Sequence, residues 1–160
     1  MKRGTTLFLK IAVILIGIPV LAICLFVVPE IGNFAAELVP DFVGMKYLLF
    51  MDLYATAIPF YFALYQAYKL LSYIDKNKAF SELSVHALKN IKYCAIVISS
   101  LYVVGMPLFY LIAEKDDAPG IIVIGMVVIL ASMVIAVFAA VLQRLLQEAI
   151  ELKSENDLTV

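Results

Sequence analysis

The sequence predicts an all-α integral membrane protein, a four-helix transmembrane bundle. Hydrophobic residues make up 64% of the 160 residues, and the mean hydropathy is +1.02. A soluble domain is typically only about 45–50% apolar. The apolar residues also form blocks of about 18 or more, a length typical of membrane-spanning helices.

Four predicted spans account for most of the chain, which we interpret as a single membrane domain, 1–160. Hydrocarbon offers the backbone no hydrogen-bonding partner, so each apolar block is expected to be helical. At about 1.5 Å per residue, each span can cross about 30 Å of hydrocarbon. The spans are 7–29, 47–71, 91–113 and 121–146, with a cytoplasmic loop at 72–90 and a cytoplasmic tail at 147–160.

The first block is expected to be a span rather than a signal peptide, although basic residues precede it. It is about 20 residues long, which is enough to cross the bilayer. No small-x-small cleavage site follows it. After this block, Ile31, Phe34 and Leu38 are apolar at helical spacing. They predict a short interfacial helix that Pro40 ends.

The start of the third helix is marked by a capping pattern. Ser81 is a typical N-cap residue, and Phe80 and Val85 have the spacing of a hydrophobic staple around it. The third helix is therefore predicted to begin near Glu82 and to continue into the membrane.

Basic residues are distributed unevenly between the two predicted sides of the membrane. The first and third loops each have one lysine against three acidic residues. Most other basic residues lie near the amino end or the middle loop: Lys2, Arg3, Lys10, Lys69, Lys76, Lys78, Lys89 and Lys92. By the positive-inside rule these segments face the cytoplasm. We therefore expect a multi-pass protein of the bacterial cytoplasmic (inner) membrane with both termini cytoplasmic.

A candidate cavity between kinked helices is predicted from Asp52, Pro59, Tyr61, Tyr65 and Pro107. A proline inside a helix removes a hydrogen bond and tends to kink it, although proline is also common in membrane helices. Asp52 lies about 7–8 Å into its span. It is interpreted either as an interfacial or packing residue or as part of a proton or ion step. The tyrosines share one helix face and indicate either helix packing or a ligand-lined groove.

A stripe of small residues on the fourth span predicts close packing between helices. Its members are Gly125, Ser132, Ala136 and Ala139. Small residues let helix backbones approach closely in lipid. The stripe is expected to pack within the bundle or between copies, so it permits a homo-oligomer.

The predicted cytoplasmic face is a second candidate site, where a partner protein would dock. Its residues are Lys76, Lys78, Glu82, His86, Lys89, Glu155, Asp157 and Leu158. Such a face is either solvated and in contact with lipid, or a surface that binds a cytosolic protein.

The sequence has no visible pattern for catalysis or metal binding. Cys24 and Cys94 are isolated in apolar blocks, and His86 is the single histidine. Ser-His-Asp, HExxH, CxxC and glycine-rich phosphate-loop patterns are missing. We therefore expect no enzyme activity, no cofactor and no metal. The net charge of −1 gives no reason to expect direct nucleic-acid binding.

Three stretches carry a resemblance to a known family: Tyr73 to Ser84 (YIDKNKAFSELS), Glu114 to Gly120 (EKDDAPG) and Ser154 to Val160 (SENDLTV). Over its whole length the chain resembles the YoaS-like family of small bacterial four-helix membrane proteins, domain of unknown function 2975. The family has no assigned enzyme activity and no agreed catalytic residues. Its members are often encoded beside a small Xre-type helix-turn-helix regulator, which implies a cytosolic DNA-binding partner.

Two functions from different classes follow from these observations. The preferred interpretation is a non-enzymatic membrane protein, regulatory or anchoring, that docks a cytosolic partner such as an Xre-type helix-turn-helix regulator. The alternative is a small transporter, channel or immunity-type membrane protein that uses a cavity between proline-kinked helices.

Overall fold

The described part of the protein is almost entirely helical. The structure is a computed structural model and describes residues 3–40 and 44–158. Its elements are α1 (Arg3–Ala22), a π-helical segment (Ile23–Val27), α2 (Val28–Leu38), α3 (Met45–Asp75), α4 (Glu82–Asp116) and α5 (Gly120–Leu158). Lys2, the side chain of Arg3 and the last two residues of the predicted tail lie outside the described residues.

Four helices are long and apolar enough to cross a membrane, as the sequence predicts. They are Gly4–Leu38, Met45–Asp75, Glu82–Asp116 and Gly120–Leu158. The most apolar window of the first helix has a mean hydropathy of 3.2, yet only 6% of that window is buried inside the protein. Such an uncovered apolar surface requires lipid around it. The all-α fold with four membrane-crossing helices is therefore confirmed.

The helices pack in the order of the chain. Helix α4 lies between α3 and α5, α1 packs on α3, and α2 contacts both α3 and α4. Within the described residues, α5 comes close to the backbone of α4 alone. The arrangement is thus an open row of helices in which α4 packs between α3 and α5.

The contact between α4 and α5 is made by the small-residue stripe. Gly125, Ser132, Ala136 and Ala139 are the residues of α5 that are buried. A Cβ atom placed on Gly125 would lie 2.9 Å from the Met106 sulfur, so the two helices approach closely there. The predicted packing role of this stripe is confirmed within a single chain.

A π-helical segment joins α1 to α2 without a break. The Val28 N–H bonds to the Ile23 carbonyl, one residue further back than in an α-helix. The next bond in this register would come from Pro29, which has no N–H. The Cys24 carbonyl instead accepts a hydrogen bond from the Tyr54 hydroxyl of α3, at 2.8 Å. The Tyr54 hydroxyl thus replaces the backbone donor that Pro29 lacks, so the Cys24 carbonyl is not left without a hydrogen bond.

Helix α2 contains the residues predicted to form a separate interfacial helix. It continues the first membrane helix through the π-helical segment and ends at Leu38. Pro40 follows two residues later, and a proline disfavours helical geometry in the residue before it. The end of this helix is therefore where the sequence places it, whereas its continuity with the first span is a structural finding.

The turn between α3 and α4 is held by backbone bonds. Asn77 adopts a left-handed conformation (φ 60°), and the Lys78 N–H bonds back to the Tyr73 carbonyl at 2.7 Å. This is the Schellman pattern, with asparagine at the position that glycine usually occupies. Helix α4 then begins at Glu82 after Ser81, as predicted. The Ser81 hydroxyl donates to the Lys78 carbonyl at 2.5 Å rather than accepting from the helix.

An ion pair ties the start of α1 to the end of α3. Lys10 Nζ lies 2.8 Å from Asp75 Oδ2, and the two side chains are only 18% and 21% exposed. The Thr6 hydroxyl donates to the other Asp75 oxygen. The Lys10 ammonium also lies 5.3 Å from the centre of the Tyr68 ring. Partial burial makes this cluster stronger than a typical surface pair.

Enlarging the stripe on α5 is expected to weaken its contact with α4. Ala136 is 9% exposed, so Ala136→Leu overpacks the interface and should lower stability by about 1–3 kcal/mol. The neighbouring Val137 is 62% exposed, so Val137→Leu is the matched control and should change little. Thermal unfolding of the purified protein in detergent measures both. Equal melting temperatures for the two variants would contradict packing by the stripe.

Breaking the Lys10–Asp75 pair is expected to lower the free energy of unfolding more than breaking the Arg144–Glu148 pair. Asp75→Asn removes a charge-assisted bond from a mostly buried cluster and should destabilise the protein by about 1.5–3 kcal/mol. Arg144 and Glu148 are 3.8 Å apart with side chains 85% and 59% exposed, so Glu148→Gln should have almost no effect. Denaturation of both variants, with Lys10→Gln added to complete a double-mutant cycle, gives the comparison. An equal effect of the two substitutions would show that burial does not strengthen the first pair.

Candidate functional site

The carboxyl group of Asp52 lies inside the contact between α3 and α4. Asp52 is seven residues after the start of α3, which is about 10 Å along the helix. A Cβ atom placed on Gly105 of α4 would lie 2.4 Å from Asp52 Oδ2 and 2.9 Å from its Cγ. The carboxyl group therefore fills space that only a glycine leaves open at this position.

The Asp52 carboxyl is poorly provided with partners. Its Oδ2 is buried and has no hydrogen bond within the described part of the chain. The ion pairs found there, Lys10–Asp75 and Arg144–Glu148, do not involve it. A buried oxygen without a partner is costly in a low-dielectric environment. Asp52 is thus an exception among the polar groups of this fold.

Two hydroxyl groups lie on one side of Asp52. Thr56 is one turn further along α3, is 6% exposed, and donates to the Leu53 carbonyl at 2.7 Å. The Tyr102 hydroxyl of α4 lies beside the Thr56 hydroxyl. Asp52, Thr56, Tyr102 and Gly105 are named below as the Asp52 cluster.

A hydrophobic cluster lies next to Asp52, and the Tyr102 ring packs against it, with its centre 5.9 Å from that of the Phe109 ring. It joins α2, α3 and α4 and consists of Ala35, Val39, Met45, Leu49, Phe109 and Ile112. Leu49 precedes Asp52 by about one turn, and Phe109 follows Gly105 by about one turn. Leu49 is fully buried, at 0% exposure. This cluster fills the end of the α3–α4 contact at which α2 packs on both helices.

The other predicted cavity residues lie at separate places in the structure and do not surround Asp52. The Tyr61 hydroxyl donates to the Gly17 carbonyl of α1 at 2.8 Å. Tyr65 is 56% exposed, with the Lys69 ammonium 5.3 Å from its ring centre. Pro59 is partly buried within α3. The bonds from Tyr54 and Tyr61 to the first helix support the packing interpretation of the tyrosine face.

Pro107 lines an apolar cleft between α4 and the start of α5. Its volume is about 660 Å³, and its walls are Val103, Met106, Pro107, Tyr110, Leu111 and Ile122. The other four predicted cavity residues do not line this cleft. A second cleft of about 420 Å³ is polar and lies between α4 and the far part of α5. Its walls are Lys92, Ala140, Gln143, Arg144, Gln147, Glu148 and Glu151.

Six of the eight predicted docking residues lie on two helices that extend past the membrane spans. Helix α5 has 39 residues and is about 58 Å long, whereas the hydrocarbon is about 30 Å thick. Residues 82–92 of α4 and 147–158 of α5 are named the helical projection. All the predicted docking residues are exposed: Lys76, Lys78, Glu82, His86, Lys89, Glu155, Asp157 and Leu158. Lys76 and Lys78 lie in the adjoining turn.

The sequence did not predict which residues lie next to Asp52, nor that the tail is helical. Pairing Asp52 with Gly105 requires the rotation of α3 against α4, which a single sequence does not show. The tail did carry a signal, because glycine and proline are missing after Gly125. Leu152 is a further residue of the projection that was not predicted, and its side chain is 66% exposed.

Within residues 3–40 and 44–158, no group of three His, Cys, Asp or Glu side chains is placed to hold a metal ion. Both cysteines are free thiols; Cys94 is buried and Cys24 is partly exposed. The chemistry that the site residues offer is therefore that of one partly buried carboxyl group, two hydroxyl groups and a charged helical surface.

Comparison with known proteins agrees with the resemblance carried by the three sequence stretches. The profile of a family described as "Protein of unknown function (DUF2975)" matches residues 30–160. The chain is 72% identical, over 160 residues and 100% of both chains, to a Bacillus subtilis (strain 168) protein named "Uncharacterized membrane protein YoaS". No solved structure matches the chain. It is a membrane protein of unknown function, and it belongs to the DUF2975 family.

Proposed function

We propose that this protein is a non-enzymatic regulator or anchor of the bacterial cytoplasmic membrane that docks a cytosolic partner on its helical projection. One observation carries the proposal. Helix α5 continues to Leu158, far beyond its apolar span, and all its residues from 151 to 158 are exposed. The exposed side chains along this stretch offer a surface for another protein.

The end of α5 combines negative charge with exposed apolar side chains. Glu148, Glu151, Glu155 and Asp157 outnumber its one lysine, Lys153. Leu152 and Leu158 are 66% and 84% exposed. Acidic groups steer a basic partner towards a surface and help to set specificity, while apolar side chains supply contact area that leaves water on binding.

The proposed partner class, an Xre-type helix-turn-helix regulator, has chemistry that suits this end of α5. DNA-binding domains of this kind carry basic surfaces that contact phosphate groups. An acidic helix at the membrane would compete with DNA for such a surface. The basic residues near the start of α4, Lys76, Lys78 and Lys89, would contact acidic positions of the partner outside its DNA-binding surface. Membrane docking would thereby withhold the regulator from DNA.

The proposed cytoplasmic location of the helical projection is supported by the basic residues at the same end of the molecule. The helical projection, the Lys10–Asp75 pair and the turn at Lys76 to Lys78 all lie at the end that the positive-inside rule assigns to the cytoplasm. Both termini would then be cytoplasmic, and the short connection between α4 and α5 would face the outside.

A second candidate function, a small transporter, channel or immunity-type protein, is favoured by one observation. Asp52, an acidic side chain with no cationic partner among the described residues, lies in a helix long enough to span a membrane, and such residues often mark ion or proton pathways. The residues proposed to line its cavity do not share one cleft in the structure. The docking proposal therefore has the stronger support.

Removing the end of α5 is expected to abolish recovery of the partner. The tagged protein is crosslinked in its native membrane and purified, with residues 155–160 present or deleted. A helix-turn-helix protein should be recovered with the intact chain and lost with the deletion, because the deletion removes Glu155, Asp157 and Leu158. Asp116→Asn, on the opposite side of the membrane, is the control and should retain the partner. Equal recovery with the deleted chain would contradict a role for this end.

The charge of the projection is expected to contribute to this binding. Replacing Glu151 and Glu155 by glutamine should weaken binding about tenfold at low ionic strength, since exposed charge pairs contribute about 0.2–1 kcal/mol each and 1.4 kcal/mol is a factor of ten. The difference should shrink as salt is added. A loss of binding that salt does not affect would indicate that charge is not involved.

The proposed orientation predicts which positions a membrane-impermeant thiol reagent reaches. In a chain with Cys24→Ala and Cys94→Ala, Asp116→Cys should react in intact cells. Lys153→Cys should react only after the cells are opened, because α5 would end in the cytoplasm. Reaction of Lys153→Cys in intact cells would reverse the proposed topology.

A further inference from the structure

The surroundings of the Asp52 carboxyl group offer little that would stabilise a negative charge. Asp75, the other acidic residue within α3, has Lys10 and Thr6 as partners. Asp52 has no ion-pair partner among the described residues, and its Oδ2 has no hydrogen bond there. An ionised carboxylate in a membrane span is stabilised by a cation, by water or by several donors. None of the described side chains supplies a cation or donor to Oδ2.

The groups that face Asp52 come from the elements packed around it. On α3 the nearest polar group is the Thr56 hydroxyl, whose hydrogen is directed to the Leu53 carbonyl at 2.7 Å. On α4 the Tyr102 phenol lies beside the Thr56 hydroxyl, and the backbone of Gly105 covers the carboxyl. These neighbours carry no cationic group, so they do not offset a negative charge on Asp52.

The same geometry leaves no room for a metal ion against Oδ2. The position of a Cβ atom on Gly105 would be 2.4 Å from this oxygen, which shows how closely the α4 backbone approaches it. Hard cations also require about six oxygen ligands. The Asp52 cluster offers one carboxyl group and two hydroxyl groups. A proton needs neither additional ligands nor additional space.

We propose that Asp52 is a proton-binding site, whose carboxyl group carries a proton while α3 and α4 are packed together at Gly105. When the proton leaves to water, the negative charge must be hydrated, and hydration requires the α3–α4 contact at Gly105 to loosen. The proton is the ligand, the O–H bond of the carboxyl group is the bond that breaks, and water accepts the proton.

Proton access is expected from the side of Thr56. The hydrophobic cluster around Leu49 and Phe109, against which the Tyr102 ring packs, restricts access from its own side. Loosening the α3–α4 contact would also affect α2, which packs on both helices. The site lies near the start of α3, at the opposite end of the molecule from the helical projection. Either proposal can therefore fail without the other.

Infrared spectroscopy of the protein in lipid vesicles tests the proposal directly. A protonated carboxylic acid has a carbonyl stretching band that a carboxylate lacks. At neutral pH this band is expected in the wild-type protein, and it should shift when aspartate carries a heavy carbon isotope in its carboxyl group. It should be lost in Asp52→Asn and retained in Asp116→Asn, whose acid is exposed. The isotope shift keeps the test valid even if Asp52→Asn does not fold.

The outcomes that overturn the proposal are distinct. A neutral-pH spectrum with no isotope-sensitive band would show that Asp52 is ionised. A band that disappears when sodium is added at constant pH would show that the ligand is a metal cation instead. A band retained in Asp52→Asn would place the proton on another aspartate.

Stability as a function of pH tests the link between the proton and helix packing. The folded state would hold the proton more tightly than the unfolded state, so the melting temperature should fall as pH rises. Asn has the shape of the protonated acid, so Asp52→Asn should remove most of this dependence. Gly105→Ala would displace the carboxyl group and should remove the protonated band. An identical pH dependence in wild type and Asp52→Asn would show that the proton does not control the packing.

Discussion

The position of α4 between α3 and α5 is the constraint on which the rest of this structure depends. On one side Gly105 lets the backbone of α4 approach the Asp52 carboxyl, and on the other Gly125 of α5 lets the Met106 side chain approach. Hydrophobic burial gives little driving force between helices in lipid, so close van der Waals contact must supply it. Because the row of helices is open, losing the contact with α4 would leave α5 without a neighbouring helix among the described residues, and losing the contact with α3 would leave α2 as the one link between α4 and the preceding helices.

Two backbone carbonyl groups of the first membrane helix accept hydrogen bonds from tyrosine hydroxyls of α3. The π-helical segment places a proline where the Cys24 carbonyl needs a donor, and Tyr54 supplies that donor from α3. The Tyr61 hydroxyl also donates to a carbonyl of α1, that of Gly17. In hydrocarbon no water replaces such donors, so these bonds also set the position of the first helix against α3.

The two ends of the molecule have different physical character, which separates the two proposed sites. At one end a buried hydrophobic cluster packs beside Asp52, whose Oδ2 has no hydrogen bond among the described residues. At the other end α4 and α5 leave the apolar region and expose charged side chains to water. The proposed proton binding belongs to the first environment and the proposed protein docking to the second.

The amino-acid sequence by itself determined the fold class, the four membrane-crossing helices, the start of α4 after Ser81 and the packing stripe on α5. These features depend on local hydrophobicity, capping residues and helical periodicity. The continuity of α1 with α2, the open row of helices and the placement of Asp52 against Gly105 and beside Tyr102 depend on the assembled fold. The physical reason is that they require the relative rotation and depth of separate helices. Those quantities are set by the packing of all helices together and are not encoded in any one segment.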